Sequence, residues 1–358
     1  MRRLPAEWES QSGVMLTWPH AETDWADQLH RIERVYAQLA ALIGRLEPVL
    51  NVCRGPAHAE RVRALIKGAG ANPSAQRFGI APSNDTWARD HGPIGVWGEH
   101  GRPLLLDFRF NGWGGKHPAD RDDRISRTLS EGQAFGATPL EAIDLVLEGG
   151  AIETDGRGTL LAVTRTLVDP RRNPGWSTEA IERALAKHLG IRHYLWLEHG
   201  ALSGDDTDGH IDTLVRFCRP ETLCYVRCQD PMDADFTELR AMEQELQAFR
   251  DPQGHPYRLI PLPTPSPALD ENGARLPASY ANFLVINGAV LVPTYDDRAD
   301  DAALATLGGL FPDRAILPVD CRRLIRQGGS LHCMSMQLMQ DALPRAPIRD
   351  PHVSASAV

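Results

Sequence analysis

The chain has 358 residues, 42% hydrophobic and 24% charged, which is the composition of a globular protein and excludes a disordered or fibrous one. Its formal charge of −9 disfavours nucleic acid as a partner, because polyanion binding needs a positive face. No stretch of about 18 apolar residues is present to span a membrane, no apolar run follows Arg2 and Arg3 as in a signal peptide, and the six cysteines contain no CxxC pair. These features predict a reduced, cytoplasmic protein.

In chain order, Leu29, Ile32, Val35, Leu39, Leu42 and Leu46 recur at spacings of three and four, so 27–46 is expected to be an amphipathic helix. Val49–Cys53 follows as a short apolar strand, then a helix over 57–67. Leu104–Phe110 and Thr159–Thr166 have strand character. Ser177 caps a helix reaching His188, with Glu179 and Glu182 in its first turns. His193–Leu197 is a strand. Ile211–Cys218 and Thr222–Cys228 flank a turn at Arg219-Pro220-Glu221, and a helix covers 233–249. The Pro-rich stretch 261–267 is expected to be a loop. Asn287-Gly288 between apolar runs marks a hairpin within Phe283–Val292. A helix over 300–310 and a strand over Ala315–Asp320 complete the pattern, and the residues after Leu343 read as a frayed tail. Helices and strands alternate throughout, which is the mark of an α/β protein.

Four segments join Gly-rich turns to ionisable residues, a combination suited to active-site loops. Asn84-Asp85-Thr86-Trp87-Ala88-Arg89-Asp90-His91-Gly92-Pro93 puts carboxylates beside an indole, which suits a flat cationic group. Its simpler reading is a loop whose polar groups satisfy backbone. Glu148-Gly149-Gly150 places a carboxylate where backbone can approach a ligand closely; the simpler reading is a solvated turn. The run Gly204–Asp212 carries Asp205, Asp206, Asp208, His210 and Asp212, and in a strand His210 and Asp212 would share a face. A metal site is the rival reading, but the run fails the EF-hand pattern, and Cys218, Cys224 and Cys228 match no common zinc spacing; they read as apolar fillers. Gly328-Gly329-Ser330-Leu331-His332-Cys333 sets a thiol after a Gly pair. His332 beside it reads as structural, and a nucleophilic Cys would need exposure and an electropositive setting.

Together with Leu16-Thr17-Trp18-Pro19-His20, Phe110-Asn111-Gly112-Trp113-Gly114-Gly115 and Tyr280-Ala281-Asn282-Phe283, these segments resemble the agmatine deiminases of the bacterial-type peptidylarginine deiminase family, within the guanidino-modifying pentein superfamily. The resemblance runs over roughly residues 4–341, with one departure: Met339 stands where a proline is expected. It implies a five-bladed α/β propeller with pseudo-fivefold symmetry, forming one catalytic domain over 1–343, with 344–358 as a tail. It implies Cys333 as nucleophile, His210 as general acid/base, Asp90 and Asp212 as the grip on the guanidinium, and Glu148 as an aid to proton handling. Trp87, Asp85, Trp113, Asp206 and Asp208 are expected to bind substrate. No metal or organic cofactor is implied. The implied partner is a small guanidino molecule, agmatine, with peptidylarginine or another guanidino compound as the rival substrate. Members of the family often form dimers or higher assemblies. The negative chain and the run Asp205, Asp206 and Asp208 lean towards the dicationic agmatine, with no basic cluster beside the motifs except Arg89.

Overall fold

The computed structural model describes residues 2–344; the tail expected at 344–358 lies, beyond its first residue, outside the described residues. Among the described residues, sixteen strands form five small sheets. The first set is β1 (Gln11–Thr17), β2 (Val49–Cys53) and β3 (Gln76–Ile80). Then come β4 (Ile94–Trp97), β5 (Pro103–Arg109) and β6 (Leu140–Val146), followed by β7 (Glu153–Thr154), β8 (Thr159–Val163) and β9 (His193–Leu197). The fourth set is β10 (Val215–Arg219), β11 (Thr222–Arg227) and β12 (Arg258–Pro263). The fifth is β13 (Leu284–Ile286), β14 (Ala289–Thr294) and β15 (Ala315–Asp320), and β16 (Ser335–Met339) ends the series.

One unit recurs. A hairpin supplies an antiparallel pair, a helical connection follows, and the next strand adds in parallel. This holds for β4–β6, β7–β9, β10–β12 and β13–β15. In the remaining sheet β16 is the antiparallel partner of β1, and β1, β2 and β3 run parallel. That unit is therefore assembled from both ends of the chain. The five sheets answer to the five blades expected from the resemblance.

Strands β1, β2 and β8 are buried along almost their whole length, because each face meets a different layer. Along β1 and β2 the side chains alternate between two cores: Val14, Leu16, Val49 and Cys53 enter one, Met15, Leu50 and Val52 the other. Helices Leu29–Ile43 and Pro56–Gly68 cover the first of these with Ile32, Tyr36, Leu39, Val62 and Ile66. Among the described residues no helix is long and apolar enough to cross a membrane.

Three expectations are corrected. Residues 258–263 are strand β12, although 261–267 was expected to be a loop; Pro261 and Pro263 are tolerated because β12 is the edge of its sheet. The strand expected over Thr159–Thr166 stops at Val163, where Thr164–Leu167 forms a helical turn. Ile211–Thr213 is a 3-10 turn rather than the start of a strand, since the Thr213 hydroxyl donates to the His210 carbonyl at 2.9 Å and bends the chain. His210 and Asp212 thus share a site, but not through strand alternation.

Candidate active site

The repeated unit decides where the site residues lie. Asp90 stands on the turn Ala88–His91, which precedes β4. Glu148 and the turn Gly149–Ala151 precede β7. His210 and Asp212 precede β10, Asn282 precedes β13, and Cys333 precedes β16. Each of the five units contributes the loop that enters its first strand. Residues up to 243 positions apart thereby meet.

All five expected catalytic side chains are buried. His210 Nδ1 is 3.6 Å from Asp90 Oδ1, and its Nε2 is 3.5 Å from Glu148 Oε2. Asp90 is fixed by two donors, the Gly150 amide at 3.1 Å and Trp113 Nε1 at 3.0 Å. Cys333 Sγ lies 3.7 Å from Asp212 Oδ2 and 3.2 Å from Asn282 Nδ2, while Asn282 Oδ1 accepts the His332 amide at 2.8 Å. A methyl group on Gly150 would sit 2.5 Å from His210 Nδ1, 2.8 Å from Asp90 Oδ1 and 3.2 Å from Asp212 Oδ2. Three groups thus converge on one point, and glycine keeps it open.

Trp113 reaches Asp90 from a left-handed backbone, φ +56° within the run Gly112–Gly115, a conformation that costs a non-glycine residue roughly 1–2 kcal/mol. The three flanking glycines take up the rest of the turn. A rigid indole is thereby held against the carboxylate.

Burial pushes the carboxyl of Asp90 up to about 6, reinforced by the nearby charges of Asp212 and Glu148. Burial alone would favour a neutral His210, but Asp90 and Glu148 outweigh it and hold the imidazolium up to about 9. Burial also works against ionised Asp212 and Glu148. It is overcome at Asp212 by the His332 hydrogen bond and at Glu148 by His210 and Arg172, so both are held below the usual carboxylate range. The Cys333 thiol is pushed well above its ordinary value, first by burial and then by Asp212 and Asp90. In the free protein burial and these two acids thus oppose the electropositive setting expected around a nucleophilic thiol.

Cys333 lines a cavity of 520 Å³. Trp87, Asp85, Trp113 and Asp206, expected to bind substrate, line it as well, together with Asp24, Asp270, His117, Arg275 and Arg326. Asp85 accepts Trp87 Nε1 at 3.0 Å through one oxygen; its other oxygen is buried without a hydrogen-bond partner. Burial, with Asp24 and Asp122 nearby, pushes this carboxyl up to about 7.

Asp208, also expected to bind substrate, does not line this cavity. It is engaged by Lys116 at 2.9 Å, Arg172 at 2.9 Å and Arg171 at 3.1 Å. Asp205 serves its own loop, accepting from Thr207 and Gly209. The expectation that Arg89 is the one basic neighbour of the motifs also fails, because Lys116, Arg171 and Arg172 gather at this loop. Arg172 grips Glu148 through Nε, 2.9 Å from both oxygens. Their contribution was missed because Arg171 and Arg172 sit in a segment with no motif. Glu7, which meets His332 at 2.7 Å, was missed for the same reason. Asn282 lay inside a quoted motif, but nothing in sequence gave it a contact with the thiol. Among the described residues no group of three or more His, Cys, Asp or Glu side chains is arranged to hold a metal ion.

Residues 3–338 match the model of the Porphyromonas-type peptidyl-arginine deiminases. The chain is 33% identical to the agmatine deiminase of Stutzerimonas stutzeri, over 93% of this chain and 94% of that one. Among solved structures, a Porphyromonas gingivalis chain with the provisional name arginine deiminase is 48% identical, with a TM-score of 0.89, over 96% of this chain and 100% of that one. The Campylobacter jejuni agmatine deiminase with substrate bound is 33% identical, with a TM-score of 0.87, over 95% and 97%. A match over nearly the whole chain, with the motif residues gathered about one buried thiol, makes this protein a member of the Porphyromonas-type peptidyl-arginine deiminase family.

Proposed function

We propose that the chain is an agmatine deiminase, hydrolysing agmatine to N-carbamoylputrescine and ammonia through a covalent amidino-cysteine. The observation that carries this reading is the convergence of Asp90, His210 and Asp212 beside Cys333, with buried polar atoms left for a ligand. Asp212 Oδ1 has no hydrogen-bond partner, and neither has either ring nitrogen of His210. A planar cation with several N–H donors is the complement of the two carboxylates, while the His210 imidazolium, itself a donor, is left for the departing nitrogen.

Asp90 and Asp212 take the guanidinium nitrogens and hold its carbon near the sulfur, which removes much of the orientation cost. The bound cation cancels the two negative charges that help keep the thiol protonated, so thiolate forms when substrate is in place, its proton leaving to solvent through the cavity that Cys333 lines. The sulfur attacks the guanidinium carbon and gives a tetrahedral centre. His210, charged at neutral pH, donates its proton to the leaving nitrogen, and the C–N bond breaks to release ammonia. The resulting S-alkylthiouronium is attacked by water, whose proton passes to His210. Collapse expels the Cys333 thiolate and leaves a ureido product. Glu148, clamped by Arg172, keeps His210 charged and oriented.

The far end of the cavity favours agmatine over arginine. Arg275 is paired with Asp233 at 2.7 Å, and Arg326 with Glu271, so neither stands ready for a substrate carboxylate. Asp85 offers a buried, unpartnered oxygen suited to the ammonium. Agmatine, free arginine and a blocked arginyl peptide are to be assayed side by side for ureido product. Agmatine should exceed arginine by at least about 10²-fold in kcat/KM. Equal rates on agmatine and the peptide would overturn the assignment in favour of a peptidylarginine deiminase.

A further inference from the structure

The mechanism above gives no task to His332, the neighbour of the thiol. This ring is buried, and it lines a second cavity, of 60 Å³, with Glu7, Arg89 and Glu153, rather than the cavity lined by Cys333. Its nitrogens bridge two acids. Nδ1 is 2.7 Å from Asp212 Oδ2, and Nε2 is 2.7 Å from Glu7 Oε2. Glu7 is itself fixed: Arg216 Nη2 donates to Oε2 at 2.6 Å and the Val285 amide to Oε1 at 2.7 Å. Arg216 is fixed in turn by Glu153 at 2.6 Å and by the carbonyls of Ala281 and Phe283. The line Arg216–Glu7–His332–Asp212 therefore runs from a rigid ionic anchor to the acid beside the sulfur.

An imidazole serves two ionised carboxylates only by donating from both nitrogens. We infer that Glu7 and His332 are the positioning pair of Asp212. His332, held by Glu7, occupies Oδ2, sets the rotation of the carboxylate, and leaves Oδ1 as the one oxygen offered to the guanidinium. This inference rests on the deiminase reading. The groups that face Asp212 or act on it by charge are His332, Cys333, His210, Arg216, Arg89 and Asp90, with Asn282 donating to its backbone carbonyl at 3.4 Å. Of these, His332 alone donates a hydrogen bond of 2.7 Å to the carboxylate. An analogous support of a ligating or reacting group by a neighbouring hydrogen bond is worth about 10- to 100-fold in other sites.

His332→Gln tests this, because glutamine has one donating and one accepting end and cannot serve both acids. The folded variant should lose about 10- to 100-fold in kcat/KM for agmatine at pH 7. The carboxyl ¹³C titration of Asp212 itself should move up by about one pH unit in the variant, since Asp212 loses the donor that favours its anion. A loss of activity with this titration unmoved would make His332 merely structural and overturn the inference, as would a kcat/KM within about threefold of wild type. Should the variant not fold, histidine ¹⁵N spectra of the unaltered protein decide. A His332 Nδ1–H proton hydrogen-bonded to Asp212 is expected, and an Nδ1 without a proton overturns the pair. Failure of the deiminase reading looks different: the wild-type protein would then release no ureido product from any guanidino substrate.

Discussion

The floor of the cavity and its rim are both acidic, yet they behave in opposite ways. On the floor, Asp90 and Cys333 line the cavity with Glu148, Asp212 and His210 buried around them, and several of their polar atoms lack a partner. On the loop that brings Asp206 to the rim, Asp205 is occupied by backbone amides and a hydroxyl, Asp206 meets His117 at 2.8 Å, and Asp208 meets three cations. Unpaired buried polar groups cost free energy, so the fold retains them only on a rigid scaffold with other interactions in surplus. The density of aspartates along the chain is greatest at the rim, while the charge available to a substrate is greatest on the floor and at Asp85.

The sharpest break of this contrast is at the nucleophile. Cys333→Ser should fall below roughly 10⁻³ of the wild-type rate while the melting curve stays close to wild type, because serine keeps the shape but not the nucleophile. A residual rate of a few per cent in a steady-state assay would reject covalent catalysis. Acid-quenched wild-type enzyme should carry substrate mass minus ammonia on the peptide with Cys333.

Next in size is the open point on the floor. Gly150→Ala would put a methyl 2.5 Å from His210 Nδ1, and a displacement of about 1 Å there should cost about 10²-fold in kcat/KM. Wild-type kinetics in this variant would mean that the three groups need not converge for catalysis.

The third prediction concerns Asp85 and carries a pH signature. Its folded carboxyl is raised to about 7, above the ordinary 3.8, so the folded state holds a proton that the unfolded chain has lost. Stability from this group is therefore greatest below pH 4 and declines as pH rises through about 7. If its anion grips the ammonium, the KM for agmatine should fall between about pH 6 and pH 8. Asp85→Asn should flatten that limb and raise KM about tenfold, a hydrogen bond between charged groups being worth about 1.5–3 kcal/mol. An unchanged KM profile in the variant would remove Asp85 from the substrate site.

The smallest effect is expected at the rim. Asp208→Asn should leave the KM for agmatine within about twofold, since the charge is already matched by Lys116, Arg171 and Arg172. A tenfold rise in KM would return Asp208 to the substrate set.

Local physics was legible along the chain wherever it acted over a few residues. The strands at Val49–Cys53, His193–Leu197 and Ala315–Asp320 and the Asn287-Gly288 hairpin lie where apolar runs and turn residues put them. β1 and β16 were not anticipated, because each is completed by the other across more than 300 residues. The motif residues were also legible, since glycine pairs, indoles and carboxylates in close order are a strong joint signal. Their partners were not. Glu7 and Arg172 carry no local mark and acquire their places only through His332 and Glu148.

The sequence by itself therefore determined the α/β alternation, two of the hairpins and the residues that gather at the candidate site, because those depend on side-chain type and spacing. The tertiary structure decided which acids remain free and which are matched by a cation. That difference depends on distance and burial, and five separate loops had to be brought to one point before either existed.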